Sequence, residues 1–89
     1  FALALALRDL GAHDAAFIAR HVLGYDEFMA AAAPWTPSRA AAECGLAEAD
    51  ILALARWMAE AEPLVMAPGN GLERGRNGGS GIRAAIALP

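Results

Sequence analysis

Lysine is absent from this 89-residue sequence, cysteine occurs once, and no uncharged apolar run is long enough to span a bilayer. Each absence excludes something. A chain without lysine and with a net charge of −3 is poorly suited to nonspecific nucleic-acid binding, so no nucleic-acid partner is expected. The missing lysine also excludes a Walker-type phosphate loop. With Cys44 alone, neither an intrachain disulfide nor a cysteine-cluster metal site can form. Every apolar run falls short of the ~18 residues a membrane helix needs, and no membrane insertion is expected. The opening apolar stretch has no basic residues before it and is interrupted by Arg8-Asp9, so it does not read as a signal peptide.

What is present is apolar. Hydrophobic residues make up 57% of the chain and charged residues only 19%, and a body this small has too much surface to hide so large a share. Part of that surface is expected to pack against protein outside the sequence. The chain opens at Phe1 and closes on Ala85-Ile86-Ala87-Leu88-Pro89, apolar at both ends, and the expectation is an internal piece of a larger protein. The alternative is an independent alanine-rich helical module that covers its apolar face by forming homo-oligomers.

Along the chain, Phe1–Leu10 alternates like a strand, but alanine fills the intervening positions and Gly11 follows. Alanine and leucine are strong helix formers and a glycine is a good stop, which predicts a helix. Asp14 is a predicted N-cap for Ala15–Val22, with Gly24 closing the turn. Tyr25–Ala33 reads as a third helix ended by Pro34. Thr36-Pro37 pairs a hydroxyl cap with proline at the first helical position and starts a short helix that stops at Gly45. A longer helix spans about Ala47–Ala61, with Ile51, Leu54, Ala55 and Met58 in one stripe that Trp57 widens. Glu48 and Asp50 lie in its first turn, and Glu62-Pro63 ends it. Leu64–Ala67, bounded by Pro63 and Pro68, is apolar on both faces and reads as a buried strand of a parallel sheet. Its pairing partners must then lie elsewhere. A final helix is expected at about Ser80–Leu88. The fold class is a predominantly α fragment of an α/β domain, with about five to six helices and one short strand near 64–67. The 89 residues form a single partial domain: a helical cluster over 1–62, then strand, glycine-rich loop and helix over 63–89.

Six of the nine glycines fall between Gly69 and Gly81, together with Arg74 and Arg76. Glycines after a strand permit positive φ and close ligand approach. A loop entering a helix presents free N–H groups suited to phosphate, and arginines add charge-assisted bonds. Yet Gly69-Asn70-Gly71 departs from the dinucleotide fingerprint, because Arg74 stands where the next glycine is required. By residue types alone the stretch is either a phosphate or nucleotide loop or a connector with solvated arginines. His13 and His21 are eight positions apart with no third ligand of suitable spacing, and capping or surface roles are expected. Trp35 and Trp57 are assigned to core or interface packing, Cys44 to a structural place at a helix C-terminus, and Glu60 and Glu62 to a solvated helix end.

The order of residues does resemble a family. His13-Asp14-Ala15-Ala16-Phe17-Ile18, Gly24-Tyr25-Asp26-Glu27-Phe28, Trp35-Thr36-Pro37-Ser38-Arg39, Cys44-Gly45-Leu46, Pro63-Leu64-Val65, Gly69-Asn70-Gly71, Arg74, Asn77-Gly78-Gly79 and Arg83-Ala84-Ala85-Ile86 follow one another as in the large subunit of molybdopterin-dependent oxidoreductases. That family includes formate dehydrogenases, nitrate reductases and dimethyl sulfoxide reductase. The resemblance covers nearly the whole chain. It implies a segment of the α/β domain that holds the bis(molybdopterin guanine dinucleotide), with the remainder of the parent subunit as partner. Carried over by position, Gly69, Asn70, Gly71 and Leu72 would supply backbone contacts, and Glu73 and Arg74 polar contacts to the nucleotide portion. Arg76 and Asn77 are weaker candidates, and Arg83 is expected to face solvent or a structural carboxylate. The family's metal ligand and iron–sulfur cysteines lie upstream of the matching region, so the resemblance implies no catalytic residue here. The separate chain is then expected to be inactive and to hold no cofactor. Substrate, metal and electron partner stay open, and family members occur on both sides of the bacterial inner membrane, with a cytoplasmic setting slightly favoured.

Overall fold

The computed structural model describes residues 1–61 and 63–88. Glu62 and Pro89 lie outside the described residues, and with them the expected closing role of Glu62. Seven helices follow in order among the described residues: α1 (Ala2–Asp9), α2 (Ala15–His21), α3 (Tyr25–Ala32), α4 (Pro37–Cys44), α5 (Glu48–Glu60), α6 (Asn70–Glu73) and α7 (Gly78–Ile86). The predominantly helical fold is the one expected, with one more helix than the sequence reading placed.

The centre is α1, which packs against α3, α4 and α5. This explains why Phe1–Leu10 carries apolar residues on every face: a helix with neighbours on several sides needs no polar stripe. Its C-terminus is closed by a Schellman motif, in which the Gly11 amide donates to the Arg8 carbonyl (2.9 Å) and Ala12 to Leu7 (2.9 Å). Gly11 itself has φ +69°, a conformation glycine adopts without a steric penalty. The predicted caps are also in place. The Phe17 amide donates to Asp14 Oδ1 at 2.8 Å and starts α2. The Arg39 amide donates to Thr36 Oγ1 at 3.3 Å and starts α4 behind Pro37.

The core consists of Ala2, Leu5, Ala6, Leu7, Ala32, Ala41, Ile51, Ala55 and Met58. Small side chains at the contacts let the helix axes approach, but they remove little apolar area from water. On α5 the stripe is real for Ile51, Ala55 and Met58, whereas Leu54 is 39% and Trp57 71% exposed. Trp57 is therefore no core residue, because α1 and α4 cover a strip narrower than the sequence pattern allows. Phe1, Phe17, Leu23 and Ile86 are exposed as well. Phe1 packs its ring 5.5 Å from that of Phe28, tying the start of α1 to α3.

The second half of the sequence departs from expectation in two places. Residues 64–67 form no strand: among the described residues all regular structure is helical, and a strand cannot form a ladder alone. The last helix begins at Gly78 rather than Ser80 and ends at Ile86. Glycine's low helix propensity argues against that start, but a close contact with α6 decides it.

Candidate functional site

The candidate residues Gly69 to Arg74 do not form an open loop. Gly69 is the extended N-cap of α6 (φ −89°, ψ 165°), Asn70–Glu73 make one helical turn, and Arg74 is its C-cap. The Leu72 amide donates to the Gly69 carbonyl at 3.2 Å. The chain then reverses through Gly75–Asn77, with the Gly78 amide donating to the Gly75 carbonyl at 2.9 Å and Gly81 to Asn77 at 3.0 Å. The product is a tight hairpin in which α6 packs on α7.

The glycines of this hairpin serve two purposes. Gly78 is buried, and a Cβ there would collide with the Glu73 carbonyl and lie 2.7 Å from the Leu72 oxygen. A Cβ on Gly81 would come within 3.1 Å of Leu72 Cδ1. These two let one helix lie on the other. Around Gly69, Gly71 and Gly79, by contrast, the space is open to 4 Å, so a ligand could reach their backbone. Positive φ plays no part, because the glycines that adopt it are Gly11, Gly24 and Gly45 at helix ends. Of the two roles expected for these glycines, positive φ is absent, and the close approach seen is that of one helix to another at Gly78 and Gly81.

All six predicted contact residues, Gly69, Asn70, Gly71, Leu72, Glu73 and Arg74, are exposed and contiguous on α6 and its caps. Glu73 and Arg74 have no hydrogen-bonded or ionic partner among the described residues, so both are free to meet a ligand. Arg76, Asn77 and Arg83 are exposed too. In the first turn of α7, the Gly79 and Ser80 amides find no backbone acceptor among the described residues. A guanidinium and free amides suit an anionic oxygen, and a carboxylate suits N–H donors on a base edge. The surface thus offers donors and an acceptor on α6 and the start of α7.

Other candidates fall to packing roles. His13 stacks on Tyr25 with ring centroids 6.4 Å apart, and His21 tilts against Phe17 at 5.0 Å. No group of metal-binding side chains occurs among the described residues. The Arg39 guanidinium sits 4.3 Å above the Trp35 ring and donates to the Pro34 carbonyl at 3.2 Å, fastening the entry to α4. Cys44 ends α4 as expected, but it is exposed rather than part of the core. No described helix is long and apolar enough to cross a membrane. A hollow of about 590 Å³ lies between α1, α2, α3 and the end of α7, lined by Leu7, Phe17, Val22, Tyr25, Phe28 and Ile86 among others. Its only sequence signal is the density of large apolar residues from Phe17 to Phe28.

No protein-family model matches the chain, and no solved structure matches it. Over 77 residues, 86% of its length, the chain is 31% identical to a probable oxidoreductase, YoaE, of Bacillus subtilis (strain 168). That stretch is 11% of the relative. These residues are thus similar to a short section of a much longer protein named as a probable oxidoreductase.

Proposed function

We propose that this chain is a non-catalytic segment of a molybdopterin-dependent oxidoreductase and forms part of the wall that holds the pterin guanine dinucleotide. The observation that carries the reading is that 86% of the chain matches only 11% of a probable oxidoreductase, so the match concerns a piece of a larger machine. The finer assignment rests on the ordered resemblance running from His13 to Ile86.

The α6–α7 hairpin fits such a cofactor. Gly69, Gly71 and Gly79 leave the backbone approachable, and the exposed Arg74 guanidinium and Glu73 carboxylate have no competing partner among the described residues. Arg74 would hold a phosphate oxygen, and Glu73 would accept N–H groups from the guanine edge. When bound, the cofactor supplies two-electron redox or oxygen-atom transfer at its metal, while the protein binds and orients it. The many exposed apolar side chains, among them Leu23, Trp57 and Val65, support a body that the remainder of the parent subunit normally covers.

The test uses the natural polypeptide that contains this segment. Purified, it should carry molybdenum or tungsten and release guanine nucleotide on acid hydrolysis. Arg74→Ala should lower the nucleotide content severalfold without abolishing folding. The 89-residue chain by itself should show no turnover. A natural polypeptide free of both metal and nucleotide, or redox turnover by the short chain, refutes the reading. The exposed apolar surface also favours a second reading, a stand-alone helical module that forms homo-oligomers. Start and stop codons flanking these residues would decide for it.

A further inference from the structure

Helix α2 holds apolar side chains over a hollow that the chain's own side chains do not fill. It buries none of its residues, although Phe17 and Ile18 both line the hollow of about 590 Å³ that α1, α3 and the end of α7 complete. Phe17 stays 53% exposed there. The wall is largely aromatic, with Tyr25 and Phe28 of α3 facing the same space. His13 lies on Tyr25 with the ring planes 21° apart, which gives one flat side. The charged groups on the wall are engaged elsewhere. Arg8 donates twice to Asp9 Oδ1, at 3.0 and 2.8 Å, and Asp14 Oδ1 accepts from the Phe17 amide at 2.8 Å. The Tyr25 hydroxyl makes no hydrogen bond among the described residues, and it remains as a polar handle.

We propose that this hollow is a binding site for one small, uncharged aromatic molecule, which stacks on the aromatic wall and completes the packing of α2. The proposal does not depend on the cofactor reading. Ligand pockets measure roughly 300–1,000 Å³ and are mostly apolar with a few polar groups, and this hollow has that size and lining. An ion is disfavoured, because its charge would leave water for a wall whose own charges are already paired. Water is a poor filling as well, since a buried molecule needs about 2–4 polar partners. Rings gain over aliphatic chains through offset and edge contacts with Phe17, Tyr25 and Phe28. Protein segments suit the space less well. A helix is about 10–12 Å across and rises ~5.4 Å per turn, so a hollow of about 590 Å³ takes roughly one turn of it. An extended segment would bring N–H and C=O groups to a wall that can pair few of them.

Two fluorescent probes with the same rings test both the site and its preference. N-phenyl-1-naphthylamine is uncharged, and anilinonaphthalene sulfonate adds a fixed negative charge. The neutral probe should bind the 89-residue chain saturably, one per chain, and at least about tenfold more tightly than the sulfonate. Nuclear Overhauser contacts should place it against Phe17 and Ile18. Ala4 lines the hollow from α1, and Ala4→Phe should fill the space and weaken binding at least about tenfold. Trp57→Ala, at an exposed position outside the wall, should leave binding unchanged. Should Ala4→Phe lower the helical circular dichroism, the Overhauser contacts in the unaltered chain decide. The longer natural polypeptide that contains this segment should bind the neutral probe as tightly. Equal affinity for the two probes, no saturation, or contacts away from Phe17 and Ile18 would overturn the proposal. Binding that weakens as chain concentration rises would mean that a second copy fills the hollow, and no binding to the longer polypeptide would mean that the parent subunit does. Either result overturns it too. Metal and nucleotide content, measured on the longer polypeptide, decides the cofactor reading separately.

Discussion

Replacing Gly78 by alanine and replacing its neighbour Gly79 by alanine should change stability in opposite directions. Both lie in the first turn of α7, and on helix propensity alone each change would stabilise by about 0.5–1 kcal/mol. At Gly79 nothing lies within 4 Å of the added Cβ, so that gain should appear in full. At Gly78 the Cβ meets the main-chain carbonyls of Glu73 and Leu72. Main-chain atoms cannot rotate aside as a side-chain end can, so α6 must move off α7. Overpacking of this kind costs about 1–3 kcal/mol, leaving a net loss of roughly 1–2 kcal/mol after the propensity gain. The two variants should therefore differ by about 2 kcal/mol, on the order of 10 °C in Tm for a domain of this size. Thermal unfolding followed by far-UV circular dichroism measures the difference. Amide exchange at Leu72 and Gly81 shows whether the loss is local to the hairpin. Equal stabilities, or Gly78→Ala above Gly79→Ala, would refute the claim that the glycines of this stretch have separate duties.

Two further substitutions test the helical body. Asp14→Ala removes the acceptor for the Phe17 amide and should cost about 1 kcal/mol in urea unfolding, with Asp14→Asn recovering most of it; an unchanged midpoint would show that the cap contributes nothing. Ala55→Leu puts three extra carbons into a site with 0% exposure and should destabilise by about 1–3 kcal/mol. Ala53→Leu on the exposed side of the same helix should fall within about 0.5 kcal/mol of the parent chain, and similar losses at the two positions would mean that α5 is rotated from the orientation described.

Much of the helical framework is written locally. Asp14 before Ala15, Thr36 before Pro37, and the glycines at positions 11 and 45 act over three or four residues, so their caps can be read without knowing the fold. The stripe of Ile51, Ala55 and Met58 is likewise a consequence of helical period. The candidate site was legible only in part. The run of glycines beside Arg74 marks a candidate stretch and suggests positive φ and close approach of a ligand, but the helical turn α6 has no signal there. The contact of Gly78 with the Glu73 carbonyl joins two helices and has no signature in either. Trp57 and Leu54 fit the apolar pattern of α5, yet neighbours in space, not periodicity, determine which part of a stripe is covered.

The sequence by itself determined that the chain is helical, where most helices start and stop, and that it has more apolar surface than a body of this size can bury. These follow from steric preference, capping and composition, which act within a few residues or over the whole chain at once. Tertiary structure alone decided that α1 is the central helix, that Gly78 and Gly81 close a hairpin, and that residues 64–67 have no backbone partner among the described residues. Those outcomes depend on which surfaces meet. The strand preference of 64–67 is local, but a β-ladder needs a second backbone, and the described residues provide only helices.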